Sequence, residues 1–196
     1  MRNYSSLLKL ANTNNGYIFS KDVVEKNIPK NYLKYASDDG VIEKIARGVY
    51  IVEDNFIDNL FAFQIINSKI IYSAFTSAYL LGLTTRDSGK IYASVPRDYN
   101  AKKLKNSGIF VREKEEIYSL GVINVKTNFG NIVKCHDIHR TICDLFSKKY
   151  IGDKFVQIEA LKKYLKLPEK DTIKLMKYAK TLGVDKQLRE KLEVLL

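Results

Sequence analysis

The apolar positions of the first fifty residues change period as they go. Tyr4, Leu7, Leu8 and Ala11 fall at i, i+3, i+4 and i+7, the spacing of one buried stripe on a helix, and Asn12-Thr13-Asn14-Asn15-Gly16 ends it. After the short apolar run Tyr17-Ile18-Phe19, Ser20 is placed to cap a brief second helix, with Asp22 near its positive end and Val23 and Val24 turned inward. Pro29 breaks the chain after Asn27-Ile28 and then suits the opening of a third helix. There Tyr32 or Leu33 packs with Ala36, Gly40 supplies a left-handed stop, and Lys30, Asn31, Lys34 and Tyr35 share the outward face. Two β-like runs follow, 41–46 and 49–52, with Arg47-Gly48 between them at hairpin spacing. Helices followed by a hairpin predict a winged helix-turn-helix over residues 1–52, the hairpin being the wing.

Glu53-Asp54-Asn55 is a polar junction, and a second domain is expected over 53–196. Its pattern predicts helices near 56–66 and 74–82, a strand at 90–95 stopped by Pro96, and strands near 108–112, 121–127 and 131–135. Helices then follow near 137–148, 153–166, 170–182 and 185–195. The predicted class is α+β: the winged helix, a mixed sheet over about 70–135, and a small helical bundle over about 137–196.

Composition narrows the partners without choosing one. The 196 residues carry 33 Lys and Arg against 22 Asp and Glu, a net charge of +11, which attracts phosphate polymers and acidic surfaces alike. The surplus divides +3 over residues 1–52, +4 over 53–150 and +4 over 151–196, so there is no basic tail. No apolar run exceeds four residues, Leu60-Phe61-Ala62-Phe63 being typical, where a membrane-spanning helix needs about 20. The opening Met1-Arg2-Asn3-Tyr4-Ser5-Ser6-Leu7-Leu8 has no apolar signal core and there are only two cysteines. A cytoplasmic protein is expected, with no membrane partner.

A helix-turn-helix presents the amino end of its second helix to the major groove, while lysines there and on the wing neutralise phosphates. Lys30 and Lys34 are one turn apart, and Asn31 can pair both edges of adenine. Ser20 and Lys21 stand at a helix start suited to phosphate, Tyr35 adjoins, and Lys44 and Arg47 are the candidate wing contacts. Asp38, Asp39 and Glu43 would repel phosphate unless turned away. Winged helices also dock proteins, so an interaction adaptor is the competing use of the same pattern.

Two segments, Gly16-Tyr17-Ile18-Phe19-Ser20 and Gly40-Val41-Ile42-Glu43-Lys44-Ile45-Ala46-Arg47-Gly48-Val49-Tyr50, resemble the winged helix of the AbiEi antitoxins of abortive-infection systems. Ser73-Ala74-Phe75-Thr76-Ser77-Ala78-Tyr79-Leu80-Leu81-Gly82-Leu83-Thr84 and His139-Arg140-Thr141-Ile142-Cys143-Asp144-Leu145 resemble that family's second domain, in the family's order. The resemblance spans about residues 16 to 183. It implies a bacterial type IV antitoxin of a phage-resistance system. Such a protein represses its own operon by binding inverted repeats in double-stranded promoter DNA, and its carboxy-terminal domain counteracts a nucleotidyltransferase-like toxin. DNA contact then falls on the helix 30–39 and the wing at Arg47-Gly48. His139 departs from the family, where glutamate is commoner before Arg-Thr.

Catalytic signatures are sparse. Cys135-His136-x-x-His139-x-x-x-Cys143 has the residue types of a tetrahedral zinc site. Its spacing is not that of paired knuckles, and Cys135 and Cys143 fall on apolar faces, so buried thiols and no metal or cofactor are expected. No Asp or Glu is followed two positions later by lysine, as a restriction-type nuclease requires. The acid pairs Glu113-x-Glu115 and Glu169-x-Asp171 follow no Gly-Ser signature, and no Walker loop, G-x-G-x-x-G or G-x-S-x-G occurs. The expectation is a protein without catalysis, the alternative a metal-dependent nucleic-acid enzyme positioned by its winged helix. On the helical end, Leu161, Tyr164, Leu165, Ile173, Met176, Tyr178, Ala179, Leu188, Leu192 and Leu195 form the expected bundle core. Lys162, Lys163, Lys166, Lys170, Lys174, Lys177 and Lys180 form a basic surface, of which the first six are the candidate antitoxin face.

Overall fold

The computed structural model describes residues 3–104, 106–150 and 153–195; the outermost residues of the two expected domains, 1–2 and 196, lie outside it. The chain forms two compact units: one runs to Ser68 and includes Thr127–Asn131, the other holds Lys69–Lys126 and Ile132 onward. The first unit therefore extends past the polar junction at 53–55.

That unit contains α1 (Ser5–Thr13), β1 (Tyr17–Phe19), α2 (Ser20–Glu25), α3 (Asn31–Asp38), β2 (Ile42–Ala46), β3 (Val49–Val52) and α4 (Asn59–Ile66). Its three strands form an antiparallel sheet in the order β1-β3-β2. The short apolar run 17–19 is thus a strand, held because β3 offers it a ladder. A two-residue turn, Arg47-Gly48, joins β2 to β3, with Gly48 at φ +78° and a bulge at Ile45.

The pleat divides the sheet's side chains between two cores. On one face Ile18 and Ile42 pack with Leu7, Leu10 and Ala11 of α1, Val23 of α2, and Leu33 and Ala36 of α3. On the other, Tyr17, Val49 and Ile51 pack against Phe61 and Ile65 of α4, with the Tyr17 and Phe61 rings edge to face at 4.9 Å. Two inward assignments are corrected. Leu8 and Val24 are exposed, at 37% and 47%. The α1 stripe runs through Leu10 instead of Leu8, and the six residues of α2 bury only Val23.

Helix α4 starts at Asn59 instead of 56 because Asp58 caps it, accepting from the Phe61 amide at 3.1 Å. Asp58 is 2% exposed and fully engaged. Its own amide donates to the Tyr17 hydroxyl at 2.9 Å, and its second carboxylate oxygen accepts from Thr127 Oγ1 and Asn131 Nδ2.

The second unit contains β4 (Ile71–Tyr72), α5 (Ala74–Leu80), β5 (Ile91–Pro96), β6 (Gly108–Glu113), α6 (Glu115–Tyr118), β7 (Val122–Lys126) and β8 (Ile132–His136). Helices α7 (Ile138–Phe146), α8 (Lys154–Leu165), α9 (Thr172–Leu182) and α10 (Asp185–Leu195) follow. The five strands take the order β6-β5-β4-β8-β7, with β5 parallel to β6 and β4 parallel to β8. The fold is α+β, a mixed α/β core followed by a helical stretch from α7 to α10.

Helix α7 lies at the centre of this unit, packed by α5, α8, α9 and α10, and every residue from His139 to Phe146 is buried. The terminal helices do not form a separate bundle. Leu161, Tyr164, Leu175, Leu188 and Leu192 share one core with Phe75, Tyr92, Val111 and Ile142. Ile173, expected inside, is 84% exposed.

Candidate nucleic-acid interface

The expected DNA-facing residues stand on three pieces of the first unit. Lys30, Asn31 and Lys34 are exposed along the start of α3, with Tyr35 half-buried beside them. Lys21 is exposed on α2, its ammonium 5.9 Å from the centre of the Phe19 ring. Lys44 and Arg47 are exposed on β2 and on its turn. Ser20 is not a side-chain cap: α2 starts at Ser20 itself and Phe19 occupies the cap position. The Ser20 amide instead donates to Gly48 O at 2.9 Å, which sets the head of α2 beside the Arg47-Gly48 turn. Ser20, Lys21 and Arg47 are thereby brought together. The α3 residues are a separate group, carried on a helix whose inward face is Leu33 and Ala36.

The nearby acids are distributed by the same geometry. Lys44 lies opposite Tyr50, on the sheet face that holds Ile42 and receives α1–α3; Glu43 lies opposite Ile51, on the face that receives α4. The pleat thus separates the two charges. Asp39 sits at the far end of α3 from Lys30 and accepts a hydrogen bond from the Tyr4 hydroxyl.

In the second unit the seven lysines differ in what they already do. Lys174 is half-buried, its ammonium 2.9 Å from Asp137 Oδ2; that hydrogen bond holds it above the ordinary lysine value. Lys163 pairs with Glu159 at 3.2 Å and donates to Gly82 O at 3.3 Å. Lys162, Lys166, Lys170, Lys177 and Lys180 are exposed and pair with no carboxylate among the described residues.

The Cys and His set is dispersed among different partners. His136 Nδ1 meets Asp144 Oδ2 at 2.7 Å, while His139 lies edge-on to Tyr164 and Tyr178 at 5.7 and 6.3 Å. Burial, partly opposed by Asp137, holds the His139 imidazole below its ordinary value. Cys143 Sγ faces Leu175 O at 3.8 Å, and burial pushes both thiols up to about 12. Among the described residues no group of three or more His, Cys, Asp and Glu side chains is arranged to hold a metal. The acid pairs are likewise split: Glu113 is buried at the end of β6 while Glu115 is exposed on α6. Asp171 caps α9 through the Lys174 amide at 2.8 Å.

What the sequence reading missed is the centre around Arg140. Its side chain is fully buried and its guanidinium donates three ways: Nε to Asp144 Oδ1 at 2.8 Å, Nη2 to Glu113 Oε2 at 2.7 Å, and Nη1 to Ile117 O at 2.7 Å. Ser94 Oγ donates to the same Glu113 oxygen at 3.1 Å and is 2.8 Å from the Tyr150 hydroxyl. Burial would raise the Asp144 carboxyl, but His136 and Arg140 outweigh it and hold the group below the carboxylate range. Arg140 and Asp144 at i, i+4 on a predicted helix were the one available signal. Gly121, at φ +71°, makes room for α7, because a β-carbon there would lie 3.1 Å from Arg140 Cβ and 3.2 Å from Asp137 Cγ.

No family model matches the chain, and no curated protein matches it. Among the described residues no helix is long and apolar enough to cross a membrane.

Proposed function

We propose that the protein is an AbiEi-like type IV antitoxin: its first unit is a winged helix-turn-helix that represses its own operon at inverted repeats, and its second unit counteracts a nucleotidyltransferase-like toxin. The observation that carries the DNA reading is the element order α1-β1-α2-α3 followed by a hairpin, with exposed cations on α3 and on the hairpin. A helix with Lys30, Asn31 and Lys34 at its amino end suits a major groove: lysines set position on phosphates and asparagine reads adenine. The tie between Ser20 and Gly48 adds Lys21 and Arg47 as a second phosphate contact. Lys44 keeps to the α1–α3 face of the sheet, and Glu43 is carried to the other. For the second unit, the support is the exposed lysine surface of α8 and α9 and the motif resemblance at Ser73–Thr84 and His139–Leu145.

A gel-shift series with the DNA upstream of the gene, against a scrambled duplex of equal length, tests repression. Preference for the native duplex is expected, with log K falling by about 0.9 per log unit of salt for each phosphate neutralised. Equal binding to both duplexes refutes the repressor, and no salt-dependent binding leaves the adaptor use of the fold. Where the reading frame beside the gene encodes a nucleotidyltransferase-like protein, growth rescue on co-expression tests the antitoxin role, and no rescue refutes it.

A further inference from the structure

Strands β5 and β6 run parallel and end together, Pro96 opposite Glu113, with Arg97 and Lys114 immediately beyond. Carboxyl ends of parallel strands are where open sheets place ligands. Here Arg97, Arg112, Lys114 and Lys149 line a cleft of about 510 Å³ together with Glu113 and Ile117. Arg97, Arg112 and Lys114 are exposed and make no ion pair among the described residues. The carboxylate in the lining, Glu113, is already paired, with Arg140 at 2.7 Å and Lys149 at 3.6 Å. The cleft is therefore cationic. It is also braced from behind, because the buried Arg140 guanidinium holds Glu113 and Ile117 O at once.

A second cleft of about 460 Å³ adjoins it, lined by Ala101, Lys102, Gly108, Phe110 and Arg112, with Arg112 common to both. Gly108, Phe110 and Arg112 alternate along β6 and share one face, while Ile109 and Val111 point the other way into the helical core. Because β6 is an edge strand, the two clefts make one groove along the sheet margin, with cations along it and an aromatic ring in its wall.

We infer that this groove binds single-stranded nucleic acid, with backbone phosphates on Arg97, Arg112, Lys114 and Lys149 and a base against Phe110. Cations along a groove with an aromatic farther along its wall suit a strand whose bases are unstacked, whereas a duplex keeps its bases inside. An acidic peptide would use the charges but has no need of an aromatic wall. This inference stands apart from the winged-helix reading, since it uses different residues and a different form of nucleic acid.

The test is fluorescence anisotropy of a short labelled oligouridylate with the full chain, beside its upstream duplex. In the triple variant Arg97→Ala, Arg112→Ala, Lys114→Ala, single-strand binding is expected to fall at least about tenfold, with the salt slope lower by about 2, at about 0.7 per phosphate lost. Duplex binding by that variant should be unchanged, and Lys34→Ala should do the reverse. Phe110→Leu should weaken the single strand by about tenfold while leaving its salt slope intact. Circular dichroism of each variant, and the milder Arg112→Gln, separate a lost site from a lost fold. Three results would overturn the inference: unchanged oligouridylate binding in the triple variant, equal competition by polyglutamate, or saturable ATP binding at these residues with no oligonucleotide binding.

Discussion

The two units differ in the charge they bury. On α3 and the β2–β3 hairpin, Lys30, Lys34, Lys44 and Arg47 stand in water, spread over a sheet and helices whose packing they do not join. In the second unit, Arg140 lies in the first turn of the most buried helix, between two carboxylates and a carbonyl. The physical cost differs accordingly. An exposed lysine keeps its hydration and is free to exchange it for a partner's phosphate. A buried guanidinium has lost its water, and only saturated hydrogen bonding makes it tolerable. The exposed cations are therefore available to a partner, and the buried one serves the architecture.

The sharpest way to break this contrast is to remove the buried charge. Arg140→Ala strands Asp144 and Glu113 without their partner and is expected to cost about 3–5 kcal/mol, read as a lower urea midpoint. Arg140→Lys should recover only part, since an ammonium lacks the planar fork that serves Asp144, Glu113 and Ile117 O together. If Arg140→Ala were as stable as the wild type, the architectural role would be lost.

Next in size is Asp58, among the described residues the one buried carboxylate of the first unit, held by hydrogen bonds with no cation paired to it. Asp58→Ala removes a cap and orphans the Thr127 and Asn131 donors. A loss of about 1–3 kcal/mol is expected, with Asp58→Asn intermediate. A loss equal to that of Arg140→Ala would erase the distinction between a carboxylate held by neutral donors and carboxylates held by a cation.

Acidity probes the buried ionic centre in a third way. Asp144 is depressed in the folded protein, so the stability it confers is complete above its unfolded value of about 3.9 and disappears as the pH falls through the folded value below it. The urea midpoint should drop as the pH is lowered below about 4, and Asp144→Asn, less stable at neutral pH, should show a shallower acid limb. The smallest change in stability is expected at the exposed face: Lys34→Ala should stay within about 0.5 kcal/mol of wild type. Its effect belongs to binding, where it should weaken all duplexes alike and lower the salt slope by about 0.9. Asn31→Ala should instead relax sequence preference.

Much of the first unit was legible along the chain because its signals are local. The break at Pro29, the stop at Gly40 and the two-residue Arg47-Gly48 turn act within a few residues of themselves, and the structure has a helix or strand boundary at each. The second unit kept its element order but not its packing. The run Ile71-Tyr72 becomes a strand only because β5 and β8 flank it, and α6 is four residues long, too short for a periodic pattern. The helical end showed the right apolar spacing and suggested a bundle of its own. Nothing in that spacing says which other surface it will meet, and the core it joins contains Phe75 and Tyr92.

Period and turn chemistry by themselves determined the longer elements, their order, and which lysines of α3 and the hairpin face outward, because each depends on neighbours within one or two helical turns, whereas the short β1 and β4 depend on strands distant in sequence. Only the tertiary structure decided that α4 closes the second face of the small sheet, that Arg140 reaches Glu113 across 27 residues of chain, and that Arg97, Arg112, Lys114 and Lys149 line one cleft. The reason is that such meetings are set by strand order and by the filling of a shared core. Those are properties of the whole packed unit that no stretch of sequence carries alone.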